Sequence, residues 1–155
     1  MQRLARIAAI TLLAGAACSS STPTGPTLSP GVHALRFTRG DHSWVLHVTV
    51  ASTDEQRAKG LMGVTQLPAN RGMAFEFPSP TTAMFWMKDT SIPLSIAFVS
   101  GGRIVALREM TPCTADPCPT YDADGSSYTE ALEANQGYFS SKGIKVGDQI
   151  EVVDG

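Results

Sequence analysis

Residues 44–51 alternate between apolar and polar positions with the period of a half-buried strand. Trp44, Leu46, Val48 and Val50 fall on one face, and Val45, His47, Thr49 and Ala51 on the other. A second strand-like run covers residues 32–38, and Arg39-Gly40-Asp41-His42 between the two reads as a hairpin connection with its turn glycine. The period then changes. Thr53 predicts a helix N-cap, Gln56 completes a capping box, Asp54 and Glu55 suit the positive end of the helix, and Gly60 stops it. A Gly-rich turn follows, then a loop through Pro68-Ala69-Asn70 and a strand over residues 73–77, which Pro78 and Pro80 are expected to break.

Residues 83–99, AMFWMKDTSIPLSIAFV, set more apolar mass beside ionisable groups than any other stretch. Alternation splits the motif, with Met84 and Trp86 on one face and Phe85 and Met87 on the other. Residues 92–99 and 103–110 flank Ser100-Gly101-Gly102 as a second hairpin. Residues 111–126, rich in Pro, Asp and Cys, read as irregular. Residues 128–134 fit a strand or a helical turn, residues 136–143 a short helix, and residues 149–153 a last strand. Short strands with turn signals about every ten residues predict a mainly β fold. The expected architecture is a single compact β-sandwich or partly open barrel with one or two short helices.

The chain has 155 residues, enough for one cored domain and too short for two. A hydrophobic fraction of 43% against 17% charged excludes disorder of the whole chain. Arg3 and Arg6, the apolar run from Ile7 to Leu13 and the small residues before Cys18 read as a signal peptide over residues 1–17. LLAGAAC resembles a bacterial lipobox, although Gly15 stands where a leucine is usual; it implies that Cys18 is lipidated and anchors the protein to a membrane. Residues 18–31 form a Ser/Thr/Pro tether, and residues 32–155 the β domain. Lipidation of Cys18 would leave Cys113 and Cys118 as a disulfide pair in an oxidising compartment. Without the two signal arginines, ten basic face fourteen acidic side chains, a net charge of about −4 that argues against nucleic acid as a partner.

The order of GLMGVTQLP, RGMAFEF, FWMKDTSIPLSIAFV, the Gly-Gly hairpin with GRIV, and LEANQGYFSSKGIKVGD resembles the bacterial and archaeal family known as domain of unknown function 192. The resemblance implies a compact, mostly β, often exported domain with no established activity. Two positions depart from it. Val64 stands where the family pattern carries Arg, and Ser95 where it carries Asp after the Pro-Leu pair.

The candidate chemistry centres on a cleft for a small molecule or glycan. Trp86 offers an indole face for stacking, and Lys88, Asp89 and Thr90 offer oriented polar groups. Arg57, Gly60, Leu61 and Met62 from the helix and its following turn, Met87, and Tyr121 from the cysteine loop complete the set. Two alternatives compete with a binding module. Glu109, Glu130 and Glu133 could supply acid and base to an envelope glycan-acting enzyme, and Met84 with Met87 could hold Cu(I). Core packing also accounts for Trp86 and the methionines. Asp122 and Asp124 miss the calcium-loop spacing, and the three histidines lie at positions 33, 42 and 47, away from any Gly-x-Ser-x-Gly elbow or helical metal pair. No cofactor or resident metal is expected.

Overall fold

The computed structural model describes residues 31–153. The signal peptide, Cys18 and most of the tether lie outside the described residues. In chain order the elements are β1 (Val32–Arg39), β2 (His42–Ala51), α1 (Asp54–Lys59), β3 (Arg71–Thr81), β4 (Phe85–Trp86), β5 (Leu94–Ser100), β6 (Arg103–Met110), β7 (Thr120–Tyr121), β8 (Tyr128–Asn135), α2 (Tyr138–Ser141) and β9 (Gln149–Val152). None of these helices is long and apolar enough to cross a membrane.

The β1–β2 and β5–β6 hairpins form as their turn residues predict, with Phe37 opposite Trp44 and Leu94 opposite Met110. The capping box forms as well: Thr53 Oγ1 accepts from Gln56 N at 3.2 Å, and the Gln56 side chain accepts from Thr53 N at 3.1 Å. α1 carries the chain between β2 and β3, which run parallel with Val48 beside Gly72.

Seven strands close into a barrel in the order β1-β2-β3-β8-β5-β6-β9. β9 shuts it, pairing with β1 from Leu35 opposite Val152 to Thr38 opposite Gln149, and with β6 at Arg103. Closure removes the exposed edges that a sandwich or open barrel would have left. Gly72 marks the tightest approach in the wall, where a Cβ would stand 2.3 Å from the Glu133 carbonyl oxygen.

The wall has two apolar faces. Leu35, Phe37, Leu46, Val48, Ala74, Val99 and Leu132 pack in the lumen, which Tyr138 and Phe139 of α2 plug. On the outside of β3, β5, β6 and β8, a second cluster joins Phe75, Phe98, Tyr128, Leu61 and Met87. The long connections of the chain cover that outer face.

Three local expectations change. Pro78 and Pro80 do not end β3, which runs on to Thr81; the β3–β8 ladder instead shifts register between Glu76 and Thr81, where the missing proline donors fall. Residues 111–126 are not wholly irregular, because β7 pairs there with β4 as a separate two-stranded sheet. Residues 128–135 resolve as strand. The helix-forming Glu130-Ala131-Leu132-Glu133 lies between β3 and β5, and two flanking ladders override local propensity.

Candidate functional site

The β4–β7 ribbon carries the central motif on the outer face of the barrel. Phe85 pairs with Tyr121 and Trp86 with Thr120. Alternation along β4 sends Phe85 inward, edge-on to Phe75 at 5.0 Å and to Phe98 at 5.8 Å between ring centroids. Met87 follows it into the core and is 1% exposed. Their neighbours face solvent, Met84 at 63% and Trp86 at 49% exposure. Tyr128 fastens the segment from below, its hydroxyl donating to the Ala83 carbonyl at 2.6 Å. Trp86 therefore sits on a rigid base with its indole half in water. Lys88 Nζ lies 5.4 Å from the Trp86 ring centroid, a cation–π contact that holds a positive charge beside the indole.

The polar turn after Trp86 is tied to the turn after α1. Asp89 adopts φ +53, and its carbonyl accepts from Gly63 N at 2.9 Å. Thr90 is buried, with its N–H donating to Met87 O at 3.2 Å and its hydroxyl to Lys88 O at 3.2 Å. Gly60, at φ +47, stands where a Cβ would lie 3.3 Å from the Phe75 ring. Leu61 is buried in the outer cluster and Met62 is half-buried. Tyr121 is half-buried with its hydroxyl accepting from Thr111 N at 3.2 Å.

Trp86, Lys88 and Asp89 are thus surface groups, while Leu61, Met87 and Thr90 support them from inside. Arg57 does not turn to this surface. Its guanidinium donates to the carbonyls of Ser52 and Glu76 at 2.6 and 2.7 Å, pairs with Asp54 and covers the Phe77 ring at 5.2 Å. Those contacts bind α1 to β3.

The three glutamates do not converge. Glu130 and Glu133 lie three residues apart on β8 and so on opposite faces of the wall. Glu130 stands opposite Glu76 in the ladder, and burial, reinforced by the Glu76 charge, pushes its carboxyl up to about 7. Glu133, 4% exposed, is pushed up to about 8 by burial. Glu109 is engaged elsewhere: it accepts from Ser95 Oγ at 2.7 Å and from Gly137 N at 3.2 Å. A carboxylate thus occupies the neighbourhood of Ser95 although residue 95 is not Asp.

Met84 and Met87 point to opposite sides, one in solvent and one in the core, so their sulfurs do not share a metal ion. No group of three His, Cys, Asp or Glu side chains suited to a metal forms among the described residues. Asp122 and Asp124 instead flank the Arg108 guanidinium. Cys113 and Cys118 form a disulfide with Cα atoms 5.5 Å apart, which points to an oxidising, extracytoplasmic environment.

One feature has no signal in the local sequence. Arg39, Gly40, His42, Trp44 and Lys142 line a groove at the end of the barrel that α2 plugs, and Lys142 joins the hairpin residues only through the fold.

The model of the DUF192 family, described as "Uncharacterized ACR", matches residues 36–152, and the chain belongs to that family. A crystal structure of a candidate transcription regulator from Sinorhizobium meliloti 1021 is similar, with a TM-score of 0.73 and 27% identity over 82% of this chain and 98% of that one. A protein of unknown function from Novosphingobium aromaticivorans DSM 12444 superposes with a TM-score of 0.69 at 30% identity, over 89% of this chain and 98% of that one. No curated protein matches the sequence.

Proposed function

We propose that this member of the uncharacterised DUF192 family is an extracytoplasmic binding module, held to a membrane by lipid on Cys18, that presents Trp86 to a small planar ligand or a glycan. The observation that carries the reading is the contrast within one short strand. Phe85 and Met87 are spent on the core, while Trp86 between them stays 49% exposed on a braced ribbon. An indole left in water forgoes burial that its neighbours obtain, and an immobile aromatic face is the feature that stacks on a sugar or flat ring at low entropic cost. Lys88 and Asp89 add one charge of each sign within the same turn, which suits a polar ligand with an apolar face.

The test is a thermal-shift screen against glycan fragments and small planar solutes, repeated with Trp86→Ala. A ligand at one hundred times its Kd adds about 2.7 kcal/mol to the folded state, a rise in Tm of roughly 10 °C for a domain of this size. The reading expects a shift that disappears in Trp86→Ala. A shift that persists in the variant, or a screen with no shift alongside a Trp86 indifferent to added quencher, rejects it.

A further inference from the structure

The groove at the α2 end of the barrel differs in chemistry from the Trp86 surface. The β1–β2 turn brings Arg39 and Gly40 over the C-cap of α2, where Lys142 stands, and His42 and Trp44 follow two residues apart on one face of β2. Their rings are stacked, with centroids 6.0 Å apart and planes at 20°. The groove is shallow and open to solvent, and its volume of about 520 Å³ falls within the range of small-molecule sites.

Two cations meet there. Arg39 Nη1 donates to the Gly143 carbonyl, which pins the hairpin to the end of α2, and Lys142 Nζ lies 4.1 Å from the Tyr138 ring centroid. Neither has a carboxylate partner among the described residues, whereas Arg36 pairs with Glu151, Arg57 with Asp54, and Arg108 with Asp122 and Asp124. Among the described residues that line the groove none is acidic. Uncompensated cations in a concave surface focus positive potential. The Arg39 fork keeps further donors beyond its bond to Gly143, and Lys142 adds a compact point charge. The stacked His42–Trp44 pair beside them supplies a flat apolar platform.

We propose that this groove is a second ligand site, selective for a small organic anion whose carboxylate or phosphate lies between Arg39 and Lys142 while its flat ring rests on the His42–Trp44 stack. The site is independent of Trp86. It needs both halves of the ligand, because the cations alone would hold any anion weakly in water and the aromatic pair alone would not select for charge.

The experiment titrates the protein with phenyl phosphate, benzoate, inorganic phosphate and phenol, following the two tryptophan indole N–H signals by NMR. Trp86→Phe assigns them, since the chain has only two tryptophans. Saturable movement of the Trp44 signal is expected with phenyl phosphate or benzoate, and whichever binds more tightly identifies the preferred anion. Inorganic phosphate and phenol should each bind at least about tenfold more weakly, and added salt should weaken the complex. Lys142→Gln and Arg39→Gln should each raise Kd by about tenfold with a native-like spectrum elsewhere. Arg39→Lys serves if loss of the Gly143 bond disturbs the fold, because it keeps the charge and should retain most of the binding. A Trp44 signal unmoved by either aromatic anion at millimolar concentration overturns the proposal, as does equal binding by phenol or by the Lys142→Gln, Arg39→Gln double variant.

Discussion

Ser95 Oγ donates to Glu109 Oε2 at 2.7 Å across the β5–β6 ladder, and the Gly137 N–H at the N-cap of α2 donates to both oxygens, at 2.8 and 3.2 Å. α2 has no side-chain cap of its own, so this pair satisfies an N–H that the helix would otherwise leave open. The same contact holds Tyr138 and Phe139 in the barrel mouth, where both rings pack on Phe37. Ser95→Ala removes a buried hydroxyl from a three-membered network and should cost about 1–3 kcal/mol, read as a lower urea midpoint with unchanged m-value.

Ser95→Asp should be worse than Ser95→Ala at neutral pH, because it sets a second carboxylate against Glu109. Glu109→Gln on that background should recover most of the loss, since one carboxylate is again hydrogen-bonded by a neutral partner. Additive losses in the double variant would mean that residues 95 and 109 do not act as a pair.

Glu133 predicts how stability changes with pH. Its carboxyl is raised from the ordinary 4.5 to about 8 by burial. The folded protein therefore keeps a proton that the unfolded chain has released, and the group favours the fold most at acidic pH. Its contribution falls as pH rises from about 4.5 and levels off above about 8. Glu130, raised to about 7, adds to the same trend over a narrower window. Glu133→Gln should change stability little near pH 4 and raise it by a few kcal/mol above pH 8. Urea unfolding of both proteins at several pH values gives the difference; a constant difference across the range contradicts the argument.

Phe85 and Trp86 should separate stability from binding although they are adjacent. Phe85→Ala empties a position between Phe75 and Phe98 and should cost about 3 kcal/mol or more. Trp86→Ala removes a half-exposed ring and should change stability by less than about 1 kcal/mol, while abolishing the ligand-induced rise in Tm. A large loss of stability in Trp86→Ala would assign the ring to packing.

What could be read from the chain was local. The capping box of Thr53 and Gln56, the two hairpin turns and the split between Met84/Trp86 and Phe85/Met87 each rest on residues a few positions apart. Closure of the barrel was not of that kind, since it depends on partners as distant as Leu35 and Val152. β8 was ambiguous because its Glu-Ala-Leu-Glu run favours a helix until two ladders enclose it. The candidate site divides in the same way. Alternation set Trp86 on the face opposite Phe85 and Met87, but only the packing of Phe85 on Phe75 and Phe98 decides that the Trp86 face is the exposed one. Nothing near Arg57 in sequence announces that the Glu76 carbonyl takes its guanidinium, and nothing near Arg39 announces Lys142.

The disulfide loop bears on the Trp86 surface through β7. Cys113 and Cys118 close a short loop immediately before Thr120 and Tyr121, the strand that pairs with Trp86 and Phe85. A loop of that size stabilises by about 2 kcal/mol on the chain-entropy account, little enough that the barrel, whose ladders do not involve the loop, should survive its loss. Cys113→Ser with Cys118→Ser should therefore leave a cooperative unfolding transition at a Tm lowered by several degrees. The larger effect should appear at the ribbon. Without the cross-link, β7 is held by its two pairs with β4, the Tyr121–Thr111 contact and the packing of Tyr121 on the outer cluster, fewer ties than β5 has in the barrel wall, so amide exchange at Trp86 should accelerate more than at Phe98 in β5. Ligand affinity at Trp86 should weaken in parallel. Equal acceleration at Trp86 and Phe98 would show that the loop stabilises the domain globally and does not brace the binding surface.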